Sequence, residues 1–142
     1  MGKKRIIKKG GSDSNAASTA LTRVPKKKAA IGTLNVLATF NNTLLTLCDN
    51  KGNTLIAASS GALGFKGSRK STPFAAAKVG EIIGEKASQM GMKEADVVIR
   101  GVGAGRESAL RGFSSKGIII THIIDKTPVL HNGPRQPKPR RI

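Results

Sequence analysis

IGTLNVLATFNNTLLTLCDNKGNTLIAAS, residues Ile31–Ser59, decides the fold. Its first part alternates. Leu34, Val36, Ala38 and Phe40 take one side and Thr33, Asn35, Leu37 and Thr39 the other, the period of two of a strand with one buried face. Asn41–Asn42 offers a tight turn, because asparagine tolerates the positive φ that a two-residue hairpin requires. A second strand is expected over Thr43–Cys48, a turn at Asp49-Asn50-Lys51-Gly52, and a third strand over Thr54–Ser59. Turns this short join antiparallel neighbours, so the stretch reads as a three-stranded meander.

Downstream the pattern changes. Ser60–Ser71 is a loop rich in glycine and serine with three bases. Thr72 is placed to cap a helix whose first turn accommodates Pro73 and which runs to about Met90. Val79, Ile82, Ile83, Ala87 and Met90 form its apolar stripe, opposite Lys78, Glu81, Glu85, Ser88 and Gln89, and Gly91 suits its end. Val97–Ile99 reads as a short buried strand, Gly101–Gly105 as a glycine turn, and Arg106–Ser114 as a second helix. Ile118–Ile124 closes the series. Its unbroken apolar run suggests burial on both faces. The order β-β-β-α-β-α-β predicts a single α/β domain with a mixed five-stranded sheet over residues 30–125. Basic extensions flank it, residues 1–29 and a Pro-rich tail, 126–142.

The net charge is +17, from 25 Lys and Arg against 8 Asp and Glu. Residues 1–30 hold nine bases and one acid, residues 126–142 five bases and no acid, and residues 31–125 eleven bases and seven acids. The excess therefore lies at both ends of a nearly ordinary core. Such tails bury no apolar surface and order on a polyanion. A membrane fits poorly, since no apolar run approaches the ~18 residues of a span and the basic stretches lack an apolar helical face. Cys48, the only cysteine, allows no internal disulfide, which suits a reducing compartment.

Two motifs bear on the polyanion. GFKGSRKST, Gly64–Thr72, sets Lys66, Arg69 and Lys70 among glycines and hydroxyls immediately before a helix start. Phosphate groups favour that arrangement, although the spacing is not that of a nucleotide-binding P-loop. GVGAGRES, Gly101–Ser108, has the strand–turn–helix context of a dinucleotide site, but Arg106 stands where the third glycine belongs. With Arg111 on the same helix, a polynucleotide backbone is the better ligand. Two histidines (His122 and His131), one cysteine and scattered carboxylates make neither a metal site nor an acid–base pair, so no enzyme and no cofactor are expected. With no Trp, no Tyr and four Phe, the chain lacks a base-stacking platform and is expected to read folded RNA by shape and phosphate.

FNNT (Phe40–Thr43), DNKGN (Asp49–Asn53), GFKGSRKSTPFAA (Gly64–Ala76), GVGAGRES (Gly101–Ser108) and TPVLHNGPRQPKPRR (Thr127–Arg141) occur in that order. Together they resemble the small-subunit ribosomal protein S-eleven family in its bacterial form. The resemblance covers about residues 30–142. It implies a ribonuclease-H-like layout and a structural role on the platform of the small subunit, bridging ribosomal RNA helices. It further implies a share in the cleft for the Shine–Dalgarno duplex of messenger RNA. Small-subunit proteins seven and eighteen, and initiation factor three, are the protein partners it suggests. The RNA-binding residues it implies are Asn41, Asn42, Lys66, Arg69, Lys70, Arg106, His131, Asn132, Arg135, Lys138, Arg140 and Arg141. The expected location is a cytoplasmic ribosome, with an organellar one left open. The alternative from charge alone is a free architectural nucleic-acid-binding protein.

Overall fold

The computed structural model describes residues 28–139; nearly all of the expected N-terminal extension, and Arg140 and Arg141, lie outside them. Three strands open the domain: β1 (Ile31–Ala38), β2 (Thr43–Asp49) and β3 (Thr54–Ser59). Helix α1 (Pro73–Gln89), strand β4 (Glu94–Arg100), helix α2 (Arg106–Ser114) and strand β5 (Ile119–Asp125) follow. The strands form one five-stranded sheet in the order β3-β2-β1-β4-β5. The meander is antiparallel, whereas β1–β4 and β4–β5 are parallel. This is the mixed five-stranded sheet that the element order implies, in keeping with the ribonuclease-H-like layout that the resemblance implies.

Register places the apolar side of each strand in one layer. Leu34 sits between Leu47 and Val97, and Val36 between Leu45 and Ile99. Against them pack Val79, Ile83 and Ala87 of α1 and Ala109 and Phe113 of α2, all fully buried. Burying each large side chain stabilises the fold by roughly 1.5–3 kcal/mol relative to exposure. The helices meet almost backbone to backbone. A Cβ on Gly80 would lie 2.3 Å from the Ala109 carbonyl oxygen, and one on Gly112 would lie 2.4 Å from that of Ala77. Helix α1 starts as its sequence dictates, with Pro73 in the first turn and the Thr72 hydroxyl accepting from the Ala75 amide at 3.3 Å. Gly91, at φ +84°, follows its end.

Four expectations need correction. The first hairpin bends at Phe40–Asn41 and not at Asn41–Asn42, and neither asparagine has positive φ. The Thr39 hydroxyl explains this: it accepts from the Asn42 amide at 3.1 Å, closing a wider turn that any residue can enter. Phe40 consequently leaves the apolar stripe and is 76 % exposed. In addition, β5 is an edge strand. Ile119, Ile123 and Ile124 stand in solvent, and only Ile118, just before the strand, is buried. A bulge shifts the register between Ala95 and Val97, and no strand lies beyond β5 to cover it among the described residues. The strand around Val97–Ile99 is also longer than expected, spanning seven residues.

Candidate nucleic-acid interface

The topology collects the sequence's basic and glycine-rich segments at one end of the sheet. Strands β1, β3, β4 and β5 finish there and β2 begins there, so four connections share that rim. They are the Thr39–Asn42 turn, the loop over residues 60–72, the glycine turn over residues 101–105 and the start of the tail. Both helices also begin at this end. Their first turns direct unpaired backbone N–H groups outward and add partial positive charge. The opposite rim holds the Asp49–Asn53 turn and the ends of both helices.

The 60–72 loop tightens into a 3-10 turn at Gly67–Ser71. The Thr72 hydroxyl donates to the Arg69 carbonyl at 2.7 Å, and the Ser71 hydroxyl donates to that of Ser68 at 3.1 Å. The backbone acceptors are thus satisfied locally while Lys66 and Arg69 extend into solvent and Lys70 is half-buried. No ion pair holds any of the three among the described residues. Beside them Phe65 and Phe74 meet edge to face, with ring centroids 6.1 Å apart.

The glycine turn is wedged against the first hairpin. The Gly103 amide donates to the Ala38 carbonyl at 2.9 Å, and a Cβ on Gly101 would lie 2.1 Å from that same oxygen. Gly101 also has φ +93°, a conformation that side chains rarely adopt. The wedge carries Asn41, exposed, and Asn42, half-buried, to the same rim. Thr43, next in the chain, is fully buried, and its hydroxyl has no partner there.

Arg106 plays a part that local sequence does not announce. Its guanidinium donates to the Gly101 carbonyl and pairs with the Asp125 carboxylate, tying the glycine turn to the end of β5. Thr127 completes the clamp. Its hydroxyl and amide donate to Asp125 at 2.6 and 2.9 Å, and the Gly101 amide donates to that hydroxyl at 3.2 Å. The Thr127 hydroxyl, then Arg106, hold the Asp125 carboxyl well below the usual carboxylate range. The Asp125-x-Thr127 spacing was the available signal, since an aspartate readily accepts from the backbone two residues on.

The acids of this rim are therefore neutralised internally: Asp125 by Arg106, and Glu107 by Arg111 one helical turn on. Arg111, expected to face a phosphate, is engaged in that pair. Lys66, Arg69, Lys70, Arg100 and Lys126 have no such partner among the described residues. Beyond Lys126 the tail carries His131, Asn132, Arg135 and Lys138, all exposed, with Asn132 in the left-handed region at φ +54°. Arg140 and Arg141 lie outside the described residues.

Elsewhere the surface offers little chemistry. The helix-free face of the sheet has a shallow depression of about 320 Å³ between Asn35, Leu37, Leu44, Thr46, Val98 and Arg100, with one charged group and no acid–base pair. Among the described residues, no group of His, Cys, Asp and Glu could hold a metal ion. None of their helices is long and apolar enough to cross a membrane.

Residues 32–141 match the family model described as ribosomal protein S11. A small ribosomal subunit protein uS11 from Polynucleobacter asymbioticus is 53% identical over 129 residues, covering 91% of this chain and 96% of the relative. Proteins of the same name from a Janthinobacterium species and from Burkholderia cenocepacia are 52% and 51% identical, with coverage of 91% of this chain and 96% and 97% of theirs.

Proposed function

Because the chain belongs to the ribosomal protein S11 family in its bacterial form, we propose that it serves as a structural constituent of the small ribosomal subunit and holds ribosomal RNA against one rim of its sheet. The family is one of structural ribosomal proteins, so the role is architectural and not enzymatic. On this reading Lys66, Arg69 and Lys70 neutralise phosphates ahead of α1. The amides at the start of α2 face the backbone of a second RNA segment. Asn41 and Asn42 contact the RNA beside them. The tail over 126–142 extends along RNA with His131, Asn132, Arg135, Lys138, Arg140 and Arg141, and the extension over 1–29 adds further cations. Arg106 orients the glycine turn and keeps its remaining N–H donors for RNA.

Two separate cation sets on one domain suit a protein that bridges RNA helices. The finer placement follows the family: the platform, the rim of the Shine–Dalgarno cleft of messenger RNA, and contacts with small-subunit proteins seven and eighteen and initiation factor three. The observation that carries the reading is the polarity of the fold. Among the described residues, Lys66, Arg69, Lys70 and Lys126 stand unpaired where both helices begin and the acids of that rim are occupied, whereas Lys51, Lys93 and Lys116 at the other end share it with the unpaired acids Asp49, Glu85 and Glu94.

Joint replacement of Lys66, Arg69 and Lys70 by Ala tests it. Each phosphate that is no longer neutralised reduces the slope of log K against log salt by about 0.7–0.9. The variant should bind small-subunit particles lacking this chain more weakly and with a shallower slope, while melting at the wild-type temperature. A lowered melting point with normal binding would assign the three residues to the fold. Co-sedimentation with chromosomal DNA in place of small subunits would favour a free architectural role.

A further inference from the structure

We propose that Phe40 is a nucleobase-stacking residue, its ring forming the seat for one unpaired base of the RNA partner. The inference rests on the ribosomal RNA reading above and adds a ligand chemistry that phosphate neutralisation does not include.

The four phenylalanines have separate surroundings. Phe113 is fully buried in the core. Phe65 and Phe74 pack against each other, and the Lys78 ammonium lies 5.8 Å from the Phe74 ring centroid. Phe40 is the most exposed of the four at 76 %, and among the described residues it has neither an aromatic nor a cationic partner. A single exposed apolar residue is ordinary, so exposure alone decides nothing.

Its mounting decides more. Phe40 occupies the corner of a turn closed by three hydrogen bonds. The Thr39 amide and hydroxyl donate to the Asn42 carbonyl at 2.9 and 3.0 Å, and the Asn42 amide donates to the Thr39 hydroxyl at 3.1 Å. The glycine turn braces it from behind, for a Cβ on Gly103 would lie 2.3 Å from the Thr39 carbonyl oxygen. Little backbone freedom remains to be given up when a ligand lies on the ring, the condition under which a single stacked group adds most affinity.

The setting identifies the ligand. The face of a phenyl ring is negative and repels a phosphate, whereas every nucleobase offers a flat surface to stack on it. A protein partner would need a broad apolar patch, but Thr39, Asn41 and Asn42 beside Phe40 in the chain are polar, and the abutting glycine turn adds one exposed apolar side chain, Val102. Arg100, paired in register with Leu37 on the adjacent strand, supplies a cation at the same rim for the backbone of that RNA. Asn41, exposed and next in the chain, has both a donor and an acceptor for a base edge.

The test uses the full chain and small-subunit particles assembled without it. Removing one aromatic stack weakens binding by about 5- to 150-fold. Phe40→Ala should show that loss with an unchanged salt slope and an unchanged melting temperature, because neither a phosphate contact nor core packing is removed. Phe40→Leu should be nearly as weak, and Phe40→Tyr should restore binding. Wild-type affinity in Phe40→Ala or Phe40→Leu would overturn the inference alone. Failure of the wild-type chain to bind the particles would overturn the underlying reading, and the inference with it.

Discussion

Replacing Gly103 with alanine should loosen the whole RNA-facing rim through one methyl group. The new Cβ would lie 2.3 Å from the Thr39 carbonyl oxygen and 2.9 Å from the carbonyl carbons of Ala38 and Thr39. Backbone atoms cannot rotate away as a side chain can, so the hairpin corner and the glycine turn must separate by on the order of 1 Å, given how sensitive close packing is to one added carbon. Overpacking of that kind costs about 1–3 kcal/mol. The 2.9 Å bond from the Gly103 amide to Ala38 weakens with it, a further ~0.5–1.5 kcal/mol. Alanine also restricts the unfolded chain, which returns about 0.4–1 kcal/mol. The net loss is about 0.5–4 kcal/mol, or roughly 2–16 °C in melting temperature for a domain of this size. Gly52→Ala is the control. Gly52 sits at φ +82° with nothing within 4 Å, so it loses only the ~1 kcal/mol of backbone strain. Circular dichroism melts of both variants, paired with binding to small-subunit particles, separate the effects. Gly103→Ala should lose both stability and affinity, and Gly52→Ala stability alone. A Gly103→Ala variant that melts within about 1 °C of wild type would show that the two turns are not interlocked.

Other outcomes follow from the same geometry. Asp125 has a depressed pKa in the folded state, so its contribution to stability is complete above the ordinary carboxylate range and is lost as pH falls below it. Asp125→Asn should therefore lower stability at neutral pH and flatten the acid limb of a stability–pH profile; an unaltered limb would contradict the clamp. Ile118 is 2 % exposed and Ile123 59 %, although the two look alike in sequence. Ile118→Ala should cost about 2–5 kcal/mol and Ile123→Ala less than about 0.5 kcal/mol, measured by denaturant unfolding. Equal losses would mean that β5 is covered in the free protein.

Most of the architecture was legible because it is written in local patterns. The alternation from Thr33 to Ala38, the turn residues at Asp49–Gly52, and Thr72 with Pro73 each specify a nearby backbone geometry. The errors share a different cause. An alternating pattern does not mark where pairing ends, so Phe40 read as one more inward residue although the strand stops at Ala38. An unbroken run such as Ile118–Ile124 looks the same in a central strand and at an edge, and only the order of strands distinguishes them. The ion pair of Arg106 with Asp125 spans 19 residues of chain and leaves no periodic trace. For the interface, the motifs indicated which residues carry charge, but their gathering on one rim depends on β4 running parallel to β1.

The polarity of that rim can be measured directly. Lys66, Lys70 and Lys126 belong to it, while Lys51, Lys93 and Lys116 lie at the opposite end of the sheet. Lysine labelling followed by mass spectrometry, on the free chain and on the chain within assembled small subunits, compares the two sets residue by residue. The account predicts strong protection of Lys66, Lys70 and Lys126 on assembly, with Lys51, Lys93 and Lys116 labelled at rates much closer to those of the free chain. Equal protection at both ends, or protection of the opposite end alone, would contradict it.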